Sequence, residues 1–159
     1  MSKVLVIGAA GMIGRKLAAA LRGEDLILQD VAPFEGIVSD LAAPGEAEKL
    51  IARRPEVIYH LAAVVSGEAE ADFEKGYRVN LDGTRRLFEA IRKENYRPRV
   101  VFTSSIAVFG APFPEAIDDE FLSAPLTSYG TQKAVGELLL ADYSRRGFMD
   151  GIGIRLPTI

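Results

Sequence analysis

The segment from Lys3 to Leu21 restricts this chain more than any other. Val4 to Ile7 is a short apolar, mostly β-branched run, as expected of a parallel strand buried on both faces. Leu17, Ala18 and Leu21 recur at helical spacing, and between strand and helix Gly8, Gly11 and Gly14 stand three apart. A strand, a glycine turn and a helix in that order build the phosphate end of a dinucleotide site. The turn needs a residue without Cβ, and the backbone must approach a pyrophosphate closely. The first helical N–H groups, around Met12 and Ile13, carry the positive end of the helix dipole. The same spacing also serves a tight strand-to-helix connection that binds nothing.

The rest of the chain alternates strand and helix. Short apolar runs at Leu26 to Leu28, Ile37-Val38, Val57 to Tyr59, Val100 to Phe102 and Ile152 to Leu156 read as further strands. Pro44 opens a helix marked by Ala47, Leu50 and Ile51, with Pro55 just beyond its end. The spacing predicts helix over about 68–95, in two pieces, and again over about 128–146, with Gly147 as terminator. Residues 111–125 form a proline-bearing loop with an acidic knot at Asp118-Asp119-Glu120, read as solvent-facing. This rhythm predicts one α/β domain over residues 1–159. It is a Rossmann-type, doubly wound parallel sheet of six strands in the order 3-2-1-4-5-6, with helices on both faces. An apolar strand so near the end of the chain leaves an open sheet edge unless something follows or covers it. The expectation is the front part of a longer enzyme, or one helped at that edge.

Composition narrows the chemistry. The net charge of −3, with arginines in scattered pairs, argues against nucleic acid as partner. The chain has no cysteine and one histidine, His60, so disulfides, thiol catalysis, thiolate metal sites and clustered His ligation are excluded. No run reaches membrane-spanning length, and the chain reads as soluble and cytosolic.

Asp30 closes the second strand, where a Rossmann unit faces the adenosine ribose. A carboxylate there accepts from both ribose hydroxyls and repels a 2′-phosphate, which favours NAD over NADP. An ordinary turn aspartate is the alternative. Leu61, Ala62 and Ala63 follow the fourth strand, and small residues there let backbone approach a ligand or simply pack. His60 reads as a packed, hydrogen-bonded strand-end histidine rather than a base. Tyr129 and Lys133, four apart on a helix, share one face. A lysine cation near a phenol favours the phenolate, and a lowered phenol takes a proton from an alcohol. Ser105, after the fifth strand, opens onto the same edge of the sheet and is placed to hold a substrate oxygen.

With these residues in order, the chain resembles the extended short-chain dehydrogenase/reductases over essentially its whole length. The likeness rests on the Gly8, Gly11, Gly14 spacing, Asp40-Leu41, the His60 to Ala63 strand end and Asn80-Leu81-Asp82-Gly83-Thr84. Ser104 to Gly110, with Phe109 where a tyrosine is usual, and Ser128 to Lys133 complete it. The resemblance implies NAD as cofactor, Tyr129 as general acid/base, Lys133 on the nicotinamide ribose and Ser105 orienting the substrate. It also places Asp40 and Leu41 near adenine, Asn80 near the nicotinamide end, and Pro157 where backbone touches the nicotinamide. Within the family, Val101 to Pro112 and Thr127 to Ile159 look most similar to dehydrogenases that oxidise the C2 hydroxyl of four-carbon sugar acids such as D-erythronate. A sugar-nucleotide epimerase with tightly held NAD, or a non-catalytic NAD-binding module, are the competing readings. The family's smaller C-terminal substrate domain is not present in this sequence. The long helix at about 128–146 is apolar around more than one face. Relatives pair through it and the helix at about 81–91, which implies a homodimer.

Overall fold

In the computed structural model of the chain, which describes residues 1–118 and 120–157, β1 (Lys3–Ile7) lies at the centre of one parallel sheet. It pairs with β2 (Asp25–Asp30) on one side and β4 (Val57–His60) on the other. β3 (Ile37–Val38) continues outward from β2, while β5 (Arg99–Ser105) and β6 (Asp150–Leu156) continue from β4. The resulting order, β3-β2-β1-β4-β5-β6, is the one the sequence predicts. Strand order reverses between β1 and β4, and that reversal opens a crevice at the carboxyl ends of the strands.

The pleat sorts the apolar residues onto two faces. Val4 and Val6 pack with Leu17 and Leu21, at and just beyond α1 (Met12–Ala20), on one side. Leu5, Ile7, Ile58, Val100 and Phe102 face the other. There they meet α2 (Glu46–Ile51), α5 (Gly83–Glu94) and α6 (Ser128–Arg145). The two faces explain why the central strands are apolar runs rather than alternating ones.

Between β4 and β5 the chain is more broken than the expected two helical pieces. It forms α3 (Ser66–Ala71), α4 (Phe73–Gly76) and one π-helical turn (Tyr77–Asp82) before α5. Asp72 causes the first break: it leaves helical geometry, and its carboxylate accepts from Lys75 N at 3.0 Å to start α4. In the π turn, the Thr84 hydroxyl donates to Asn80 O at 2.7 Å, taking up a carbonyl that the wider turn leaves. β5 also runs on through Thr103, Ser104 and Ser105, because pairing with β6 over its full length carries the two serines, which favour strands less than Thr103 does, into the ladder. In the acidic loop Asp118 and Glu120 are exposed, and Asp119 lies outside the described residues.

Candidate active site

The loop after β1 turns at Gly8, whose φ of +90° is costly for any residue with a side chain. A Cβ there would stand 2.7 Å from Ala62 N, and one at Gly14 would stand 2.2 Å from Gly8 O. The glycines therefore bring the loop and the start of α1 down onto the end of β4. The first bond of α1 runs from Arg15 N to Gly11 O at 3.0 Å, so the N–H groups of Met12 and Ile13 are open to an external acceptor. Among the described residues no side chain caps this end and no acidic residue lies in its first turn. Asp30 closes the facing wall. Its carboxylate accepts from Ala10 N and Ala32 N, both at 2.9 Å, so it is held rigidly against the glycine loop.

Together these elements enclose a cleft of about 470 Å³ over the ends of β1, β2 and β4. Gly8 and Gly11 form its floor, and Asp30, Asp40 and Leu41 one wall. Leu61, Ala62 and Ala63 form the other, continued by Val64. Ion pairs between Arg78 and Asp40, and between Lys75 and Glu68, frame the mouth. Donors for a pyrophosphate, a fixed carboxylate for ribose hydroxyls and a small-residue apolar slot fit one half of a dinucleotide.

Ser105, Tyr129 and Lys133 converge one strand further along, at the end of β5. Thr127 caps α6 by accepting from Gly130 N at 3.0 Å. Glu70 of α3 adds a second cap that the sequence does not disclose, accepting from Ser128 N at 2.5 Å and Tyr129 N at 3.3 Å. The first turn of α6 is thus pinned from two sides. Lys133 is buried, and its Nζ donates to Thr103 O at 2.7 Å, lying 4.9 Å from the Phe102 ring centre and 5.8 Å from that of Tyr129. Desolvation draws the Lys133 ammonium down to about 8. The Tyr129 hydroxyl lies beside Ser105, whose Oγ accepts from Ala107 N at 3.1 Å.

One expectation is corrected here. Burial pushes the Tyr129 phenol up from its usual range, with the Ser105 hydroxyl pulling the other way. The ammonium that was to lower it is held by the Thr103 carbonyl instead. Met12 and Ile13 mark the helix end rather than the cleft lining, and Pro157 is exposed beyond β6, two strands from β4.

Asn80 is buried behind the cleft rather than in it. Its Oδ1 accepts from Val64 N at 2.8 Å and its Nδ2 donates to Val64 O at 2.9 Å and to Gln132 Oε1 at 2.7 Å. His60 is a packed histidine, as expected. Since the Thr84 hydroxyl already donates to Asn80 O, it accepts from His60 Nε2–H at 2.8 Å, which fixes the neutral tautomer. Burial, then the charge of Lys133, draws His60 down to about 3. The unfolded ring protonates near its ordinary ~6.5 and the folded one does not, so this group's contribution to stability declines as pH falls from about 6.5 to 3. The slope is up to about 1.4 kcal/mol per pH unit. His60→Gln should flatten it in urea-denaturation midpoints between pH 4.5 and 7; parallel slopes for the two proteins would contradict this.

Residues 4–159 match the model of the NAD dependent epimerase/dehydratase family. Among curated proteins the chain is 46% identical to a D-erythronate dehydrogenase of Cupriavidus necator, over 98% of this chain and 55% of that protein. The corresponding figures for a D-erythronate dehydrogenase of Haemophilus influenzae are 42%, 99% and 55%. The chain thus spans about half the length of these relatives. Among solved structures it superposes with a TM-score of 0.91 on a nucleoside-diphosphate-sugar epimerase from Agrobacterium tumefaciens, at 63% identity over 99% of this chain and 53% of that one. A UDP-glucose 4-epimerase from Brucella ovis in complex with NAD gives 0.86, at 28% identity over 98% and 51%.

Proposed function

Because the chain belongs to the NAD dependent epimerase/dehydratase family, we propose that it is the cofactor-binding and proton-transferring part of an NAD-dependent dehydrogenase. Its substrate is a small sugar acid of the D-erythronate type, oxidised at a secondary hydroxyl. The observation that carries this reading is the convergence of Ser105, Tyr129 and the buried Lys133, whose Nζ lies 5.8 Å from the Tyr129 ring centre, at the edge of the sheet where the cleft opens. The curated relatives' names support the substrate class.

NAD, when bound, supplies the hydride acceptor. Met12 and Ile13 N–H groups would hold its pyrophosphate, Asp30 its adenosine ribose, and the Asp40-Leu41 and Leu61–Ala63 walls its adenine. Ser105 holds the substrate oxygen, and Tyr129 Oη takes the hydroxyl proton as the carbon is oxidised. Lys133 lies on the same helical face and favours the deprotonated phenol once its ammonium turns from Thr103 O toward the cleft. Arg155, a polar residue of β6, is held by Glu137 at 2.8 and 3.0 Å. A cytoplasmic homodimer through α5 and α6 belongs to the same proposal. The two helices pack side by side through Phe88 and Tyr143, and Leu138 of α6 is 70% exposed.

The direct test is NADH formation by the intact enzyme against a panel of four-carbon sugar acids. The Agrobacterium neighbour's name favours one second reading, a nucleotide-sugar epimerase. It would show retained NAD, no net NADH release and no response to the panel. Asp30→Ala removes the acceptor for Ala10 N and Ala32 N as well as the ribose contact. It should weaken NADH binding about tenfold to a hundredfold and relax the preference over NADPH. Fluorescence titration with both nucleotides reads this, and unchanged discrimination would remove Asp30 from the ribose site.

A further inference from the structure

Gln132 takes no part in the chemistry above, yet it is fully buried one residue before Lys133. Its orientation is dictated from outside. Val64 N requires Oδ1 of Asn80 and Val64 O requires Nδ2, so Asn80 presents an N–H to α6 and Gln132 must answer with Oε1. That leaves Gln132 Nε2 without a hydrogen-bond partner among the described residues. The neighbouring backbone makes room for it, since a Cβ on Gly76 would stand 2.9 Å from Nε2. A buried donor left unpaired is a cost that an apolar side chain of equal length would not carry.

The packing of α6 says what the amide does. In its first half the buried positions are Gly130, Gln132, Lys133 and Gly136; large apolar burial begins only at Leu140. Gly130 and Gly136 let α6 lie close on Ala107 and Phe102, where a Cβ would stand 2.1 and 2.7 Å away. With no large apolar knob between them, the polar contacts of Gln132 and Lys133 add to the caps in fixing its rotation. Val64 lines the cleft, and Asn80 grips its backbone at both N–H and C=O. We propose that Gln132 is a positioning residue: through Asn80 it locks the rotation of α6, and with it Tyr129 and Lys133, to the Val64 wall of the cofactor cleft. The inference rests on the cofactor reading above.

Gln132→Met in the full chain tests it. Its thermal midpoint should stay close to that of the unaltered protein, because the unpaired Gln132 Nε2 is gone while the Asn80 N–H that Gln132 Oε1 accepted loses its partner. NADH affinity, read by fluorescence, should nevertheless fall about tenfold, the scale expected of a misplaced helix. Lys133, followed by NMR of labelled lysine, should titrate closer to its ordinary range as the displaced helix lets water reach it, since burial is what lowers it. Gln132→Glu keeps an acceptor oxygen for Asn80 and should recover most of the affinity. A folded Gln132→Met chain with unaltered NADH affinity and an unmoved Lys133 titration overturns the proposal. So does a Gln132→Met chain that fails to fold, since the amide must be dispensable for stability. If the unaltered chain binds no NADH, the cofactor reading fails, and the Lys133 titration alone decides the role of Gln132.

Discussion

Tyr129→Phe should lower NADH formation by the intact enzyme about a hundredfold to ten-thousandfold while leaving NADH affinity essentially unchanged. The substitution removes one oxygen from a ring that stays packed at the start of α6, where Thr127 and Glu70 hold the backbone independently of the phenol. What disappears is the atom proposed to take the substrate proton, beside Ser105. Because burial holds the phenol above its ordinary range, turnover of the unaltered enzyme should climb on the alkaline side as the phenolate becomes available. The Phe variant should lack that limb. Stopped-flow detection of NADH across pH measures both effects. Turnover within a few-fold of the unaltered enzyme, with the alkaline limb intact, would remove Tyr129 from the chemistry.

Lys133→Met should make the protein more stable at neutral pH and nearly inactive. Lys133 is buried against Phe102 with the Thr103 carbonyl as its hydrogen-bond acceptor, and burial draws it from 10.5 to about 8. A folded-state value below the unfolded one means the charged form is disfavoured by folding. The penalty is therefore full below about pH 8 and is relieved as pH rises toward 10.5. The shift corresponds to about 3 kcal/mol, and losing the charged bond to Thr103 O gives back about 2 kcal/mol. A net gain of about 1 kcal/mol at pH 7 should raise the thermal midpoint by about 2–4 °C. The gain should vanish by about pH 10.5. Turnover should fall about a hundredfold or more with the loss of the cation. A midpoint lower than that of the unaltered protein at pH 7 would show that the ammonium is better satisfied than its burial implies.

Lys133, His60 and Gln132 are all buried polar groups with incomplete or costly partnering, and all lie behind the crevice end of the sheet. Clustering of such groups beside the proposed site is what a stability cost accepted for function looks like.

The parts of this protein legible from sequence are those governed by neighbours within a turn or a pleat. Apolar runs gave the strands, Gly8, Gly11 and Gly14 the tight loop onto α1, and the four-residue interval from Tyr129 to Lys133 their common helical face. The strand order followed from the alternation of elements, because short right-handed crossovers leave few alternatives. Other features depended on partners that sequence does not bring near. Glu70 caps α6 from 58 positions away, and Asn80 reaches Gln132 across 52. The extension of β5 to Ser105 depended on β6. The direction of the Tyr129 shift was also decided by tertiary structure, because desolvation depends on everything packed around a group, and a lysine's position on a helix does not say which acceptor its ammonium meets.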